Sequence, residues 1–116
     1  MRTYKRREVW YADMSGVVGS EQGGLRTVLI VQNDIGNRFS PTTVVACLTT
    51  KVKKLMPTHV FLDKDKNKLE HDSYVLAEQL RTIDKDRLIE KKTEISEEDM
   101  EKVFDALDIS VGRKLN

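Results

Sequence analysis

Apolar residues along this chain fall into five short β-type runs followed by one stripe at helical spacing. The first run, Glu8 to Asp13 (Glu-Val-Trp-Tyr-Ala-Asp), mixes β-branched and aromatic residues. Thr27 to Gln32 is apolar without interruption, the pattern of a strand buried on both faces. Asn33 to Asn37 reads as a turn or one loose helical turn, and Thr42 to Thr50 as a second strong strand with an apolar middle and threonines at both ends. Thr58 to Leu62 is a further strand, Asp63 to Asn67 a charged turn, and Ser73 to Ile83 the last long strand, with Glu78-Gln79 interrupting its apolar positions. Ser96-Glu-Glu-Asp99 then reads as a capping box with aspartate in place of the commoner glutamate. Met100, Val103, Phe104, Leu107 and Val111 recur beyond it at helical spacing, and Gly112 supplies a stop. The pattern predicts a mainly β fold, a small and strongly bent sheet or barrel, carrying a C-terminal amphipathic helix.

Composition narrows this to one soluble domain over residues 1–116, with 34% charged and 39% hydrophobic residues. No apolar run approaches the roughly 20 residues that span a bilayer, and Met1 to Arg7 lacks the apolar segment of an export signal. The expected compartment is the cytoplasm, with no membrane partner. A lone Cys47 between apolar neighbours reads as a buried thiol, and no Cys/His cluster has metal-site spacing. The helical stripe is core packing and implies no cofactor. Net charge is +1, so the chain lacks the overall basic signature of a nucleic-acid binder. Two local clusters, Lys5-Arg6-Arg7 and Lys51 with Lys53 and Lys54, read first as solvated surface. Trp10 reads as a core anchor rather than a base-stacking platform. A chain of this size has a limited core, which favours oligomerisation.

The unusual stretch is Gly19-Ser-Glu-Gln-Gly-Gly-Leu-Arg26 running into the apolar strand and closing on Gln32, Asn33 and Asp34. Its glycines allow positive φ and close backbone approach to a ligand. Ser20, Glu21 and Gln22 offer donors and acceptors of every type, and Arg26 a planar fork suited to phosphate. Other chemistries find less support. His59 starts a strand and His71 lies in a charged stretch, so a two-histidine mechanism is not expected. Asp63 and Asp65 alternate with lysines, which suits a salt-laced surface better than a metal site.

Gly19-Ser-Glu-Gln-Gly-Gly24, Arg26, Val28 to Asp34, Asn37-Arg-Phe-Ser-Pro-Thr42, Pro57-Thr-His-Val60 and Glu78-Gln-Leu-Arg-Thr-Ile-Asp84 together resemble the MazF/PemK family of toxin endoribonucleases, especially those of Gram-positive bacteria. The resemblance spans nearly the whole chain and is weakest at its ends. It implies an SH3-like small barrel with small helices, assembled as a symmetric homodimer. It also implies metal-independent cleavage of single-stranded RNA (mRNA) by attack of the ribose 2′-hydroxyl, giving a 2′,3′-cyclic phosphate and a 5′-hydroxyl end. Control by a cognate MazE-like antitoxin is implied too. Residue by residue, it points to Arg26 and Thr49 as the catalytic pair. Arg26 is assigned to charge stabilisation, with protonation of the leaving oxygen open. Glu21 either orients Arg26 or accepts a proton. Gly19, Ser20, Gln22, Asn33, Thr50, Glu78 and Gln79 are the expected RNA contacts. Thr27 stands where relatives usually carry proline, and Gly16 replaces a common loop proline; both changes are expected to loosen the backbone near Arg26. The alternative is a toxin of the same fold that binds and poisons a protein or nucleic-acid target without cutting it.

Overall fold

A computed structural model describes every residue except Met1, Val17, Ser20, Gln22 and Asn116. Among the described residues the strands are β1 (Glu8–Asp13), β2 (Leu25–Ile30), β3 (Thr42–Thr49), β4 (His59–Leu62), β5 (Ser73–Asp84) and β6 (Leu88–Glu94). The helices are α1 (Asp34–Phe39), α2 (Lys64–Asn67) and α3 (Glu97–Ser110), and a 3₁₀ turn, Lys85–Arg87, leads into β6. All six strands join one sheet in the order β4-β5-β3-β2-β1-β6, each neighbour antiparallel.

The middle of the sheet is covered on both sides. Val28, Leu29 and Ile30 of β2 and Val45, Ala46 and Cys47 of β3 are all buried, as their uninterrupted apolar runs predict. Val9, Leu29, Ala46, Leu48, Val60, Leu62, Val75 and Ala77 pack beneath α3 through Met100, Val103 and Ala106. The opposite face packs without α3. Trp10, Ala12, Val28, Ile30, Val45 and Cys47 instead close on Met14, Ile83 and Leu88, so the sheet bends round to cover itself. Register shifts at Val9/Trp10 and Tyr11/Ala12 against β6, and at Ala46/Cys47 against β5, sharpen that bend. Trp10 is buried, as expected, and donates from Nε1 to the Glu8 carboxylate at 3.0 Å.

Three expectations change. β6 makes a sixth strand that the apolar pattern did not announce. Leu88 is buried and the next four residues are exposed, so an edge strand paired with β1 carries no alternation. The charged turn at Asp63 is a short helix, capped by Asp63 Oδ2 accepting the Lys66 N–H at 2.8 Å, whereas at Asn33 the helical alternative holds, with Asn33 Oδ1 accepting the Gly36 N–H at 2.8 Å. Val111 leaves the helical stripe. It is exposed at the C-cap of α3, where Gly112, at φ +78°, donates to Ile109 and Arg113 to Asp108, a Schellman closure.

The capping box forms by half. Ser96 Oγ accepts the Asp99 N–H at 3.0 Å, but the Ser96 N–H goes to Asn67 Oδ1 at 2.9 Å rather than to Asp99. Asp99 is shorter than glutamate and faces α2 instead, accepting from Asn67 Nδ2 at 2.8 Å and Lys66 Nζ at 3.3 Å. Burial alone would raise the Asp99 pKa. The hydrogen bonds from Asn67 and Lys66 and the charges of Lys66 and Lys102 outweigh it and hold the carboxyl below its usual range. A depressed carboxyl contributes stability above its unfolded-state pKa and loses it as pH falls through the folded one. Asp99→Ala, which strands the Asn67 amide, should therefore cost about 1–3 kcal/mol at pH 7. In urea denaturation the gap to the parent chain should narrow in acid, below about pH 4; a gap constant with pH contradicts the assignment.

Candidate functional site

The β2–β3 register decides where Arg26 points. Val28 pairs with Cys47 and Leu29 with Ala46, and extending that register two residues past the ladder brings Arg26 opposite Thr49. Opposed residues of an antiparallel pair share a face, so this places Arg26 and Thr49 together at the strand ends. Both line an open cleft of about 190 Å³ with Tyr11, Leu25, Thr27, Leu48, Thr50 and Ser73. Thr50, exposed just past β3, also lines an adjoining groove with Tyr11, Thr27, Ser73 and His71.

Arg26 is half-buried, and its Nε donates to the Gly23 carbonyl at 2.9 Å. That bond fixes the plane of the guanidinium. No hydrogen bond or ion pair engages its two Nη nitrogens among the described residues, so an end-on fork is left for an oxyanion. Thr49 Oγ1 donates to the Lys51 carbonyl at 3.1 Å and accepts the Lys51 N–H at 3.2 Å, a local turn on exposed surface. Beneath the pair, burial pushes the Cys47 thiol up in pKa, and the charges of Arg26 and Arg81 only partly offset it. Cys47 is thus an inert core thiol, as expected.

The loop above the cleft is anchored at its root. Arg81 donates from Nη1 to the Met14 carbonyl and from Nη2 to that of Ser15, each at 2.8 Å, and Arg87 Nη1 reaches the Asp13 carbonyl at 3.1 Å. Gly16 follows at φ +83°, a conformation closed to proline, whose ring holds φ near −65°. The expected loosening at Gly16 is answered by these arginine clamps, and Thr27 sits within the β1–β2 ladder opposite Tyr11. Gly19 is exposed. Glu21 does not meet Arg26: its Oε1 accepts the Val18 N–H at 2.8 Å, and the Gly23 carbonyl takes the orienting role expected of it. Ser20 and Gln22 lie outside the described residues.

The structure divides the remaining candidates. Asn33 caps α1 beyond the far end of β2, seven residues from Arg26, or roughly 20 Å at about 3.3 Å per residue, so it does not share the cleft. Glu78 and Gln79 interrupt β5 because they bulge. Cys47 pairs with Leu76 and Ala46 with Leu80, so Ala77, Glu78 and Gln79 are inserted at a single step of β3. Glu78 accepts from Thr58 Oγ1 at 2.9 Å and from His59 Nε2 at 3.0 Å, while His59 Nδ1 accepts the Met56 N–H at 3.1 Å. Those bonds hold the His59 ring between the Met56 N–H and the Glu78 carboxylate. His71 lines the groove beside Thr50, and no bond joins it to His59 among the described residues. Sequence reasoning missed Tyr11 and Ser73 as cleft walls and Arg81 as the loop clamp. Tyr11 and Ser73 reach the cleft through strand pairing, and Arg81 spans from β5 to the segment after β1, so local sequence marks none of these roles.

Comparison with known proteins places this geometry in a family. Residues 5–111 match the family described as "PemK-like, MazF-like toxin of type II toxin-antitoxin system". The chain is 56% identical over 109 residues to "Endoribonuclease EndoA" of Bacillus subtilis, covering 93% of this chain and 94% of that protein. It is 54% identical over 109 residues to "Endoribonuclease MazF" of Staphylococcus epidermidis, covering 93% and 91%. Among solved structures, a mycobacterial endoribonuclease in complex with its cognate antitoxin superposes with a TM-score of 0.82 at 27% identity, covering 98% of this chain and all of that one. MazF from Deinococcus radiodurans, 21% identical, shares the fold with a TM-score of 0.84 over 97% and 99% of the two chains. The bent six-stranded sheet with its C-terminal helix is the MazF fold, and this chain belongs to the PemK-like, MazF-like toxin family.

Proposed function

We propose that residues 1–116 form one toxin domain, the endoribonuclease of a type II toxin–antitoxin system, and that it cleaves single-stranded mRNA at the Arg26–Thr49 cleft. Family membership and identity above 50% to proteins named as endoribonucleases support the enzyme class. The observation that carries the site is the fork of Arg26, held by Gly23 and, among the described residues, without a bond at either Nη nitrogen, on a cleft shared with Thr49.

In this reading the ribose 2′-hydroxyl attacks the adjacent phosphorus. The P–O5′ bond breaks, the phosphorus is left in a 2′,3′-cyclic phosphate, and the leaving oxygen takes a proton to become a 5′-hydroxyl. Negative charge builds on the phosphoryl oxygens on the way. Two parallel N–H bonds from Arg26 stabilise it without reorganisation, because the guanidinium is already oriented. Thr49 adds its hydroxyl by exchanging one exposed bond to Lys51 for one to phosphate. An arginine stays protonated at neutral pH and is a poor base. The proton from the 2′-hydroxyl therefore goes to a carboxylate such as Glu21 or to water. Thr50, Gly19, Ser20, Gln22, Glu78 and Gln79 contact the flanking nucleotides. No metal is required, since Arg26 supplies the charge. Among the described residues no helix is long and apolar enough to cross a membrane, in keeping with action on cytoplasmic mRNA. The active form is a homodimer, and the cognate antitoxin blocks the cleft with an extended acidic segment, since a site shaped for phosphate also attracts carboxylates.

Arg26→Ala should lower kcat by about two to three orders of magnitude, and Arg26→Lys should recover little, because an ammonium cannot reproduce the fork. Single-turnover cleavage of a short RNA measures both, and near-parental turnover in the lysine variant removes the geometric argument.

RNA carrying a 2′-deoxy sugar at the cleaved position should bind and remain intact, and cleavage of ordinary RNA should persist in EDTA with cyclic-phosphate ends. Cutting of the deoxy substrate, or silence in chelator, points to a different nucleophile. Intact ordinary RNA that still binds the chain would favour the non-cutting toxin.

A further inference from the structure

The cross-strand row that aligns Arg26 with Thr49 continues past the cleft. Thr49 pairs with Tyr74 of β5, and Tyr74 pairs with Phe61 of β4. Opposed residues share a face, so Arg26, Thr49, Tyr74 and Phe61 form one line across four strands. Neighbouring strands lie about 4.8 Å apart, which sets Tyr74 about 10 Å and Phe61 about 14 Å from the Arg26 position. The two rings meet edge to face, with centroids 5.5 Å apart and planes at 61°. Phe61 is 48% exposed although it sits within a strand. The reason lies in the fold: α3 covers the other face of β4 and β5 through Val60, Leu62 and Val75, and the bend that closes the second core stops at Cys47 and Ile83.

We infer that the Phe61–Tyr74 pair is a stacking platform for a nucleobase of single-stranded RNA, next along the strand from the phosphate held at Arg26 and Thr49. The inference rests on the proposed ribonuclease reading and adds a subsite to it. An exposed aromatic pair could also cover a second copy of this chain, but its surroundings favour RNA. Exposed Lys51, Lys53 and Lys54 lie two, four and five residues beyond Thr49. On the same face, two residues before Phe61, His59 holds the Glu78 carboxylate with Thr58. Self-association surfaces are depleted of charge at their centre, whereas single-strand sites combine a cationic track with aromatic faces. Stacking accepts every base, so the platform contributes affinity and alignment, and leaves sequence choice to the polar groups around it.

The test measures the affinity of uncleavable single-stranded RNA, with a 2′-deoxy sugar at the cleaved position, across a salt series. Parent, Phe61→Ala, Phe61→Trp and Arg26→Ala chains are compared, and sedimentation records their mass. Phe61→Ala should weaken binding about 5- to 150-fold with the salt slope and the mass unchanged. Phe61→Trp should bind at least as well as the parent, and Arg26→Ala should lower the salt slope by about one. Equal affinity in parent and Phe61→Ala overturns the platform while leaving the ribonuclease reading intact. A changed mass in Phe61→Ala shows a self-interface and also overturns it, as does a shallower salt slope, which marks the loss as electrostatic. A parent chain that fails to bind RNA at all overturns the ribonuclease reading, and the platform with it.

Discussion

Everything in this molecule depends on the pairing of β3 with β5. β3 is buried on both faces, so its register cannot slip by one residue without turning Ala46 and Leu48 away from α3 and Thr49 away from the cleft. That same register lines up Thr49 with Tyr74 and, through β2, with Arg26. The bulge at Ala77, Glu78 and Gln79 absorbs the mismatch between a sheet that must bend and a ladder that must stay in phase. Core packing and site geometry are therefore one constraint, and the chemistry inherits its precision from hydrophobic burial.

Arginines hold the ends of that frame by binding backbone carbonyls. Arg2 donates to Leu88 and Ile89, Arg7 to Ile95, Arg81 to Met14 and Ser15, and Arg87 to Asp13 and Ser15. Arg7 even takes φ +85° to do so, with its own N–H on Ile30 and its carbonyl on Ile95. A small domain cannot bury every chain end, and a planar group with five donors ties down carbonyls that would otherwise face water alone. Arg26 belongs to the same class, held among the described residues through Nε on the Gly23 carbonyl. What sets it apart is its place on the cleft that it lines with Thr49.

The helices at the far end of the fold show a related economy. Asn67 joins α2 to α3 by serving Asp99, Ser96 and Asp63 at once, while buried Asn37 accepts from Thr43 at 2.6 Å and from Gln32 at 3.1 Å to seat α1. Both are carboxamides, able to donate and accept together, and both replace contacts that helices of four and six residues are too short to make for themselves.

The sequence by itself determined the central strands, the last helix and the polar loop before Arg26. Those features are written in local pattern: unbroken apolar runs, an i, i+3, i+4 stripe ended by Gly112, and glycines flanking polar residues. The family blocks around Arg26 and Glu78 made the reaction class legible as well. Tertiary structure alone decided the rest. β6 escaped notice because an edge strand needs burial at only one position, Leu88, and Val111 left its stripe because the helix closed one residue earlier. Glu21 faces Val18 and not Arg26 because a loop side chain binds the nearest backbone donor. The row from Arg26 to Phe61 joins residues 35 positions apart in the chain, and no local pattern carries it. Register is a property of pairs of strands, and it comes into being only when the sheet forms.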